Sequence, residues 1–165
     1  MRLKFEIDKK VLKQIEKQVE SLGAGPTKAE CQELGNDIIA EMKAMISKGI
    51  SPIDGKGRFP AYKWQGVKGK YPATQKKLGK RDRPVNLELH GDFLDELRAK
   101  VTKDADGYGV NIGWDDPEQR AKELGHRRGA NGQPKRPIIP IGKESFAVKI
   151  QRLIIDAFTR STAKK

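Results

Sequence analysis

Polar and apolar residues alternate from Arg2 to Ile7, with Leu3, Phe5 and Ile7 on one side and Arg2, Lys4 and Glu6 on the other. A period of two over this length predicts a short strand with one buried face. The period then becomes helical. Asp8 is placed to cap a helix reaching about Leu22, with Val11, Leu12, Ile15, Val19 and Leu22 on one stripe. Gly23, Gly25 and Pro26 break it. Thr27-Lys28-Ala29-Glu30 has the form of a capping box. The helix it opens keeps Cys31, Leu34, Ile38, Met42, Met45 and Ile46 on one face and is predicted to end near Lys48-Gly49.

Periodicity then fails over residues 50–83 and resumes at Pro84. Val85, Leu87 and Leu89 alternate with Asn86, Glu88 and His90 as a strand would. Gly91-Asp92 turns the chain, and Asp92 can cap a short helix carrying Phe93, Leu94 and Leu97. Residues 99–102 and 108–114 read as two further strands joined through Asp104-Ala105-Asp106-Gly107. Asp116-Pro117-Glu118-Gln119 combines a capping Asp with Pro at the first helical position, and predicts a short helix ending by Gly125. Residues 125–136 form a second basic loop. Residues 137–141 are apolar, but Pro137 and Pro140 restrict them to an edge strand or extended arm. A last helix over about 144–159 turns Phe146, Ile150, Leu153, Ile154 and Phe158 inward, and residues 162–165 are expected to fray. The chain therefore reads as one α+β domain over residues 1–165. It has a small, mostly antiparallel sheet packed against long amphipathic helices, and a long basic Gly/Pro-rich loop.

That loop, residues 50–83, is punctuated by Pro52, Gly55, Gly57, Pro60, Gly66, Gly69, Pro72 and Gly79. Only Asp54 and Asp82 oppose its many lysines and arginines. Loops this long inside a compact domain are uncommon and are usually functional or disordered. Phe59, Tyr62, Trp64 and Tyr71 argue against simple disorder, because solvated linkers are poor in aromatics. The expectation is a segment that becomes ordered only against something outside its own domain.

Composition sharpens this picture. Leu, Ile, Val and Phe make up about a fifth of the 165 residues, near the level below which a highly charged chain tends not to fold alone. With 34 Lys+Arg against 22 Asp+Glu the formal charge is +12, which points to an acidic partner or to assembly among polyanions. One cysteine, Cys31, gives no intrachain disulfide and no zinc site unaided; a reducing cytosol is the expected setting. No apolar run approaches the roughly 20 residues of a membrane span, and the first ten residues lack the apolar stretch of a secretory signal. A soluble intracellular product is expected, with no membrane partner.

Residue patterns suited to catalysis are scarce. Cys31 lies in a helical apolar stripe, as a small core residue does, with no histidine near it in sequence. His90 and His126 are the only histidines and neither sits in a metal-ligand spacing. Asp115-Asp116 could suggest a metal nuclease, but Pro117 and Gln119 explain Asp116 better as a cap. Lys56-Gly57 and Lys68-Gly69-Lys70 match no phosphate-loop spacing. Ser51, Thr74 and Ser145 lack a neighbouring base. An enzyme, a metal site and a cofactor are not expected.

The basic loops carry more. Lysines and arginines interleaved with Phe59, Tyr62, Trp64 and Tyr71 suit a single-stranded nucleic acid, whose phosphates need cations and whose bases need rings to stack on. The same rings could equally pack on a neighbouring subunit while the lysines stay solvated. Arg127, Arg128, Lys135 and Arg136 invite the same two readings.

The order of features from Ile50 onward resembles the virion-morphogenesis, or neck and tail-completion, proteins of tailed bacteriophages. The likeness is carried by Ser51-Pro52-Ile53-Asp54-Gly55 running into Phe59-Pro60-Ala61-Tyr62-Lys63, and by Leu-x-x-Gly-Asp-x-Leu within residues 87–97. Asn111-Ile112-Gly113-Trp114 before a short helix, His126 and Gly129 follow, and then Arg136-Pro137-Ile138-Ile139 before a last helix. It covers about two thirds of the chain. His90 and Glu96 stand where the family commonly has Ser. The resemblance implies a non-catalytic structural subunit of the neck, the head-tail connector or tail-completion ring that joins portal complex to tail and surrounds the DNA passage. The partners implied are further copies of the chain, a hexamer being favoured, and adjacent head-closure, adaptor, tail-terminator or tail-tube proteins. Its location would be the virion neck, and the host cytoplasm during assembly. On this reading Phe59, Tyr62, Trp64, Tyr71, Arg136, Pro137, Ile138 and Ile139 are expected to touch a neighbouring subunit or partner. Lys56, Arg58, Lys63, Lys68, Lys70, Lys76, Lys77, Arg127 and Arg128 are expected to face phage DNA or another polyanion, without base readout. A free-standing basic protein that binds single-stranded nucleic acid is the alternative.

Overall fold

The computed structural model describes residues 26–61, 84–87, 92–105, 107–129 and 133–163. The strand expected over residues 2–7 and the helix over 8–22 lie outside them. Helix α1 (Lys28–Ser47) starts at the predicted capping box: the Thr27 hydroxyl accepts from the Glu30 amide, and the Glu30 carboxylate accepts from the Thr27 amide at 2.8 Å. It ends at Lys48, and Gly49 then turns the chain with φ 72°. A four-residue helix α2 (Asp92–Asp95) precedes the strands β1 (Arg98–Asp104) and β2 (Gly107–Gly113). These pair antiparallel, Arg98 opposite Gly113 and Asp104 opposite Gly107, and Gly107 supplies the positive φ that the tight turn needs. Helix α3 (Pro117–Arg128) and helix α4 (Val148–Ala163) complete the fold.

The architecture is α+β, a two-stranded antiparallel hairpin packed against helices, with α1 touching both strands and α4. Period two gives the hairpin two unlike faces. Ala99, Val101, Val110 and Ile112 form the side turned to α1, and Arg98, Lys100, Asn111 and Gly113 the outer side. Gly35 makes the helix–hairpin approach possible, since a Cβ there would stand 2.6 Å from the Ala99 Cβ and 2.9 Å from the Val110 Cγ1. Gln32 donates to the Ala99 carbonyl at 3.3 Å, so a carbonyl of β1 is satisfied by α1. Met42 and Ile46 of α1, Ile138 and Ile139, and Ile150 of α4 form the fully buried centre. Trp114 stacks on Phe93 at 4.7 Å and donates to its carbonyl at 2.6 Å, which pins the end of β2 to α2. Cys31 is buried in the α1 stripe as expected.

The larger departures from the pattern-based expectation are these. The strand expected over 85–90 does not form in its described part: Leu87 adopts φ 56°, and Val85, Asn86 and Leu87 are buried without a ladder among the described residues, while residues 88–90 lie outside these. A left-handed leucine costs on the order of 1 kcal/mol or more, which its burial can offset. Helix α3 runs through Gly125 to Arg128 and stops at Gly129 (φ 72°), whose amide bonds the Gly125 carbonyl at 3.0 Å. Residues 137–140 are neither edge strand nor arm but a buried strap across the core, with Ile138 0% and Ile139 1% exposed. Proline suits such a strap because it brings no amide that must find a partner. Helix α4 starts at Val148 rather than near 144 because the preceding backbone is engaged elsewhere. Phe146 forms an antiparallel bridge with Ile53, Asp54 donates to the Ser145 carbonyl, and Ala147 donates to the Pro52 carbonyl.

Gly35→Ala would raise intrinsic helix propensity by about 1 kcal/mol, yet the new methyl must displace Ala99. A net loss of about 1–3 kcal/mol is expected in urea denaturation, with Ala99→Gly restoring part of it in the double variant. A Gly35→Ala protein at least as stable as the parent contradicts this packing.

Candidate functional site

The root of the basic loop is stitched into the domain. Ile50 bridges Arg58, Ser51 donates to the Gly57 carbonyl at 2.8 Å, and Phe59 donates to the Gly49 carbonyl at 2.8 Å. Gly55 and Gly57 take positive φ at the tip of this turn, placing Lys56 and Arg58 outward, both exposed. The Ser51 hydroxyl, itself buried, donates to the Pro137 carbonyl at 3.2 Å and so joins the loop root to the strap.

Arg136 completes the joint. Its side chain is 1% exposed, and its guanidinium donates to the carbonyls of Pro60 and Ala61 at 3.0 and 2.9 Å. Its amide donates to the His126 carbonyl at 2.8 Å, holding the strap to the end of α3. On the other flank, a Cβ on Gly49 would stand 2.6 Å from Pro84 and 3.3 Å from the Val85 carbonyl oxygen. Both flanks of residues 62–83 therefore meet at Gly49.

These contacts revise several expected roles. Phe59, Arg136, Pro137, Ile138 and Ile139, expected at a subunit interface, are buried inside this chain. Residues 50–61 reach order against their own domain, contrary to the expectation for the whole loop. Arg127, expected to meet a polyanion, is engaged internally: it bonds Glu144 at 2.8 Å and Glu123 at 3.2 Å and donates to the Ile139 carbonyl. Lys56, Arg58 and Arg128 are exposed. Tyr62, Lys63, Trp64, Lys68, Lys70, Tyr71, Lys76, Lys77 and His90 lie outside the described residues.

Two concavities flank the Arg127 node. One, of about 630 Å³, has Lys56, Arg58 and Lys135 at its mouth and Phe59, Arg127 and Glu144 deeper in. Lys56 approaches Glu144 at 3.6 Å, leaving Arg58 and Lys135 as exposed cations able to attract phosphate. The other, of about 490 Å³, lies between the outer face of the hairpin, α3 and the end of the strap. Its walls are largely apolar, from Trp114, Leu124, Ile139 and Ile141. Glu123 and Leu124 are site residues that the pattern of the chain did not single out. The only available signal was the spacing of four between Glu123 and Arg127, which is that of a helical ion pair.

Burial governs the titrating groups here. It pushes the Glu123 carboxyl up to about 7, against the opposing pull of Arg127 and of the Ile138 and Ile139 amides. Among the described residues Glu123 Oε2 finds no hydrogen-bond partner, nor does the buried Gln119 Oε1 one turn earlier. His126, against the Phe93 ring at 5.3 Å, is lowered to about 4 by burial and by the Arg136 charge. For Glu144 burial acts upward, but the Arg127 hydrogen bond, the Ile141 amide and the Lys56 charge outweigh it and leave the carboxyl below its ordinary value. Asp116 caps α3, accepting from the Glu118 amide at 2.7 Å. Among the described residues no group of three or more His, Cys, Asp or Glu could hold a metal ion, and no helix is long and apolar enough to cross a membrane.

Comparison of the chain with protein-family models, with curated proteins and with solved structures finds no match.

Two outcomes are expected from this chemistry. Unfolded, Glu123 releases its proton near 4.5 and His126 near 6.5, whereas folded they do so near 7 and 4. Between 4.5 and 6.5, unfolding therefore releases one proton and binds another, and the two pH slopes cancel. In Glu123→Gln only the histidine term remains, so stability falls as pH drops from 6.5 to 4.5. In His126→Leu only the glutamate term remains, so stability falls as pH rises. Each slope should differ from wild type by about 1 kcal/mol per pH unit in urea titrations; parallel profiles contradict it. Separately, Arg136→Lys loses the fork that spans two carbonyls, and a loss of about 2–4 kcal/mol is expected; a change within about 0.5 kcal/mol would remove the clamp from the account.

Proposed function

We propose that the chain is a structural subunit of a tailed-phage neck, a head-tail connector or tail-completion ring, that self-associates and holds a cationic arm against an acidic neighbour. The observation that carries this is the rooting of residues 62–83. Their flanks are fixed at one place, by Arg136 on Pro60 and Ala61 and by Gly49 against Pro84 and Val85. The sequence between them carries eight Lys or Arg against one Asp. Firm flanks on either side of a strongly charged sequence suit a surface offered to another molecule rather than to the subunit's own core. The motifs behind the phage resemblance also fall at packing positions: Trp114 on Phe93, and Ile138 and Ile139 at the centre. The role is non-catalytic, in the virion neck after assembly in the host cytoplasm. Portal-side or tail-side ring proteins are the partners, and contact with DNA is through phosphate.

The alternative, a free-standing single-strand binder, draws on the aromatic residues of the loop. It loses Phe59 as a stacking ring, since that side chain is 8% exposed and packed in the core.

Native mass spectrometry of the full chain at tens of micromolar, with and without duplex DNA, should record a closed oligomer, six copies being expected. A monomer under both conditions overturns the ring. In fluorescence anisotropy, single- and double-stranded oligonucleotides should bind comparably, weaken steeply with salt, and respond to Trp64→Ala by less than about threefold. A strong single-strand preference that falls more than about tenfold in Trp64→Ala favours the alternative instead.

A further inference from the structure

We propose that the cavity between the hairpin's outer face, α3 and the end of the strap is a docking pocket for a partner protein's acidic segment. That segment would seat one or two bulky apolar side chains in the cavity and carry carboxylates beside them. Leu124 (42%) and Ile141 (37%) are two of the four large hydrophobics exposed among the described residues, and both line this cavity. Exposed apolar side chains scattered singly need no explanation, but a pair converging on a concave apolar surface does. The volume, about 490 Å³, falls in the roughly 300–1,000 Å³ range of sites that bury a ligand.

Charge identifies the occupant. The lining offers four cations, Arg98, Lys100, Arg120 and Arg127, against two carboxylates, Asp115 and Glu123. Both carboxylates are already held, Asp115 by Lys100 at 2.6 Å and Glu123 by Arg127 at 3.2 Å. Arg98 donates to the main-chain carbonyls of Asp95 and Leu97, contacts that orient its guanidinium without neutralising it. Arg120 is exposed, with no carboxylate at ion-pair distance among the described residues. The mouth is therefore positive around an apolar floor, the complement of an apolar anchor flanked by Glu or Asp. The proposal rests on the cavity and its rim and stands whether or not the ring does.

The test is an NMR titration of the isotope-labelled full chain with three end-blocked pentapeptides: Glu-Glu-Trp-Glu-Glu, Glu-Glu-Ala-Glu-Glu and Lys-Lys-Trp-Lys-Lys. The first should shift the amides of Asn111, Gly113, Leu124 and Ile141 saturably, and the other two should bind at least about tenfold more weakly, as expected for loss of an anchor or its charge complement. Leu124→Glu and Arg120→Glu, both at exposed positions where folding is not at stake, should each weaken binding about fivefold or more. Equal binding of the Trp- and Ala-centred acidic peptides would reduce the effect to charge and overturn the pocket. So would shifts centred on Lys56, Arg58 and Lys135, or no saturable shift up to about 5 mM peptide. Shifts of the cavity amides on diluting the protein alone would assign the pocket to a second copy and overturn the acidic partner.

Discussion

The Arg136 guanidinium, withdrawn from water and shared between the carbonyls of Pro60 and Ala61, is the contact on which the rest of the domain turns. A buried cation is tolerated only where donors find acceptors. Once they do, the geometry is demanding, because removing either side strands the other. Arg136 opens the strap, and the strap runs through the centre of the core, with Ile138 and Ile139 against the α1 and α4 side chains. The same few residues thus fix three things: the position of the core's middle layer, the end of α3, and the root of the basic loop. The lean apolar content of the chain is workable because polar joints link loops that a larger core would have held by packing alone.

Around this joint, α3 has an unusual inner face. Glu123, His126 and Arg127 occupy neighbouring positions, and the surroundings treat them differently. Arg127 keeps its charge by pairing with Glu144, and its guanidinium also hydrogen-bonds Glu123. Glu123 and His126 are pushed toward their neutral forms by burial. A helix that is strongly charged in sequence therefore presents a largely neutralised interior, leaving its outward cations, such as Arg120 and Arg128, to set the field seen by partners. The strap divides two surfaces: a cationic concavity beside the loop root and an apolar cavity against the hairpin.

Legibility of the fold in the sequence followed the range of the interactions involved. Local devices were readable: the Thr27–Glu30 box, the Asp116-Pro117 start, the turn at Gly107, and the apolar stripe of α1. What failed depended on contacts distant in sequence. The alternation at Val85 and Leu87 looked like a strand, but Asn86 between them is buried as well and Leu87 takes φ 56°, so the period of two is not kept. Gly125 looked like a stop, yet the left-handed position that ends α3 is Gly129, where a Cβ would stand 2.4 Å from the Gln133 carbonyl oxygen. Pro137 and Pro140 spoke against a central place, whereas a strap without a ladder needs no amide from them. Of the candidate site, the outward Lys56, Arg58 and Arg128 were readable as exposed cations. The inward turn of Phe59, Arg127 and Arg136 was not, because the partners that bury them include contacts distant in sequence, which leave no periodic trace.

The loop root belongs to the core and opens only when the domain does. Native-state hydrogen exchange resolves this at the amides of Ser51, Phe59, Arg136 and Ala147, whose acceptors are the carbonyls of Gly57, Gly49, His126 and Pro52. These amides should exchange with the slowest class, alongside Met42 and Ile46 of α1, through global unfolding. Exchange through a separate low-energy opening, while α1 stays protected, would show instead that the root is not part of the core.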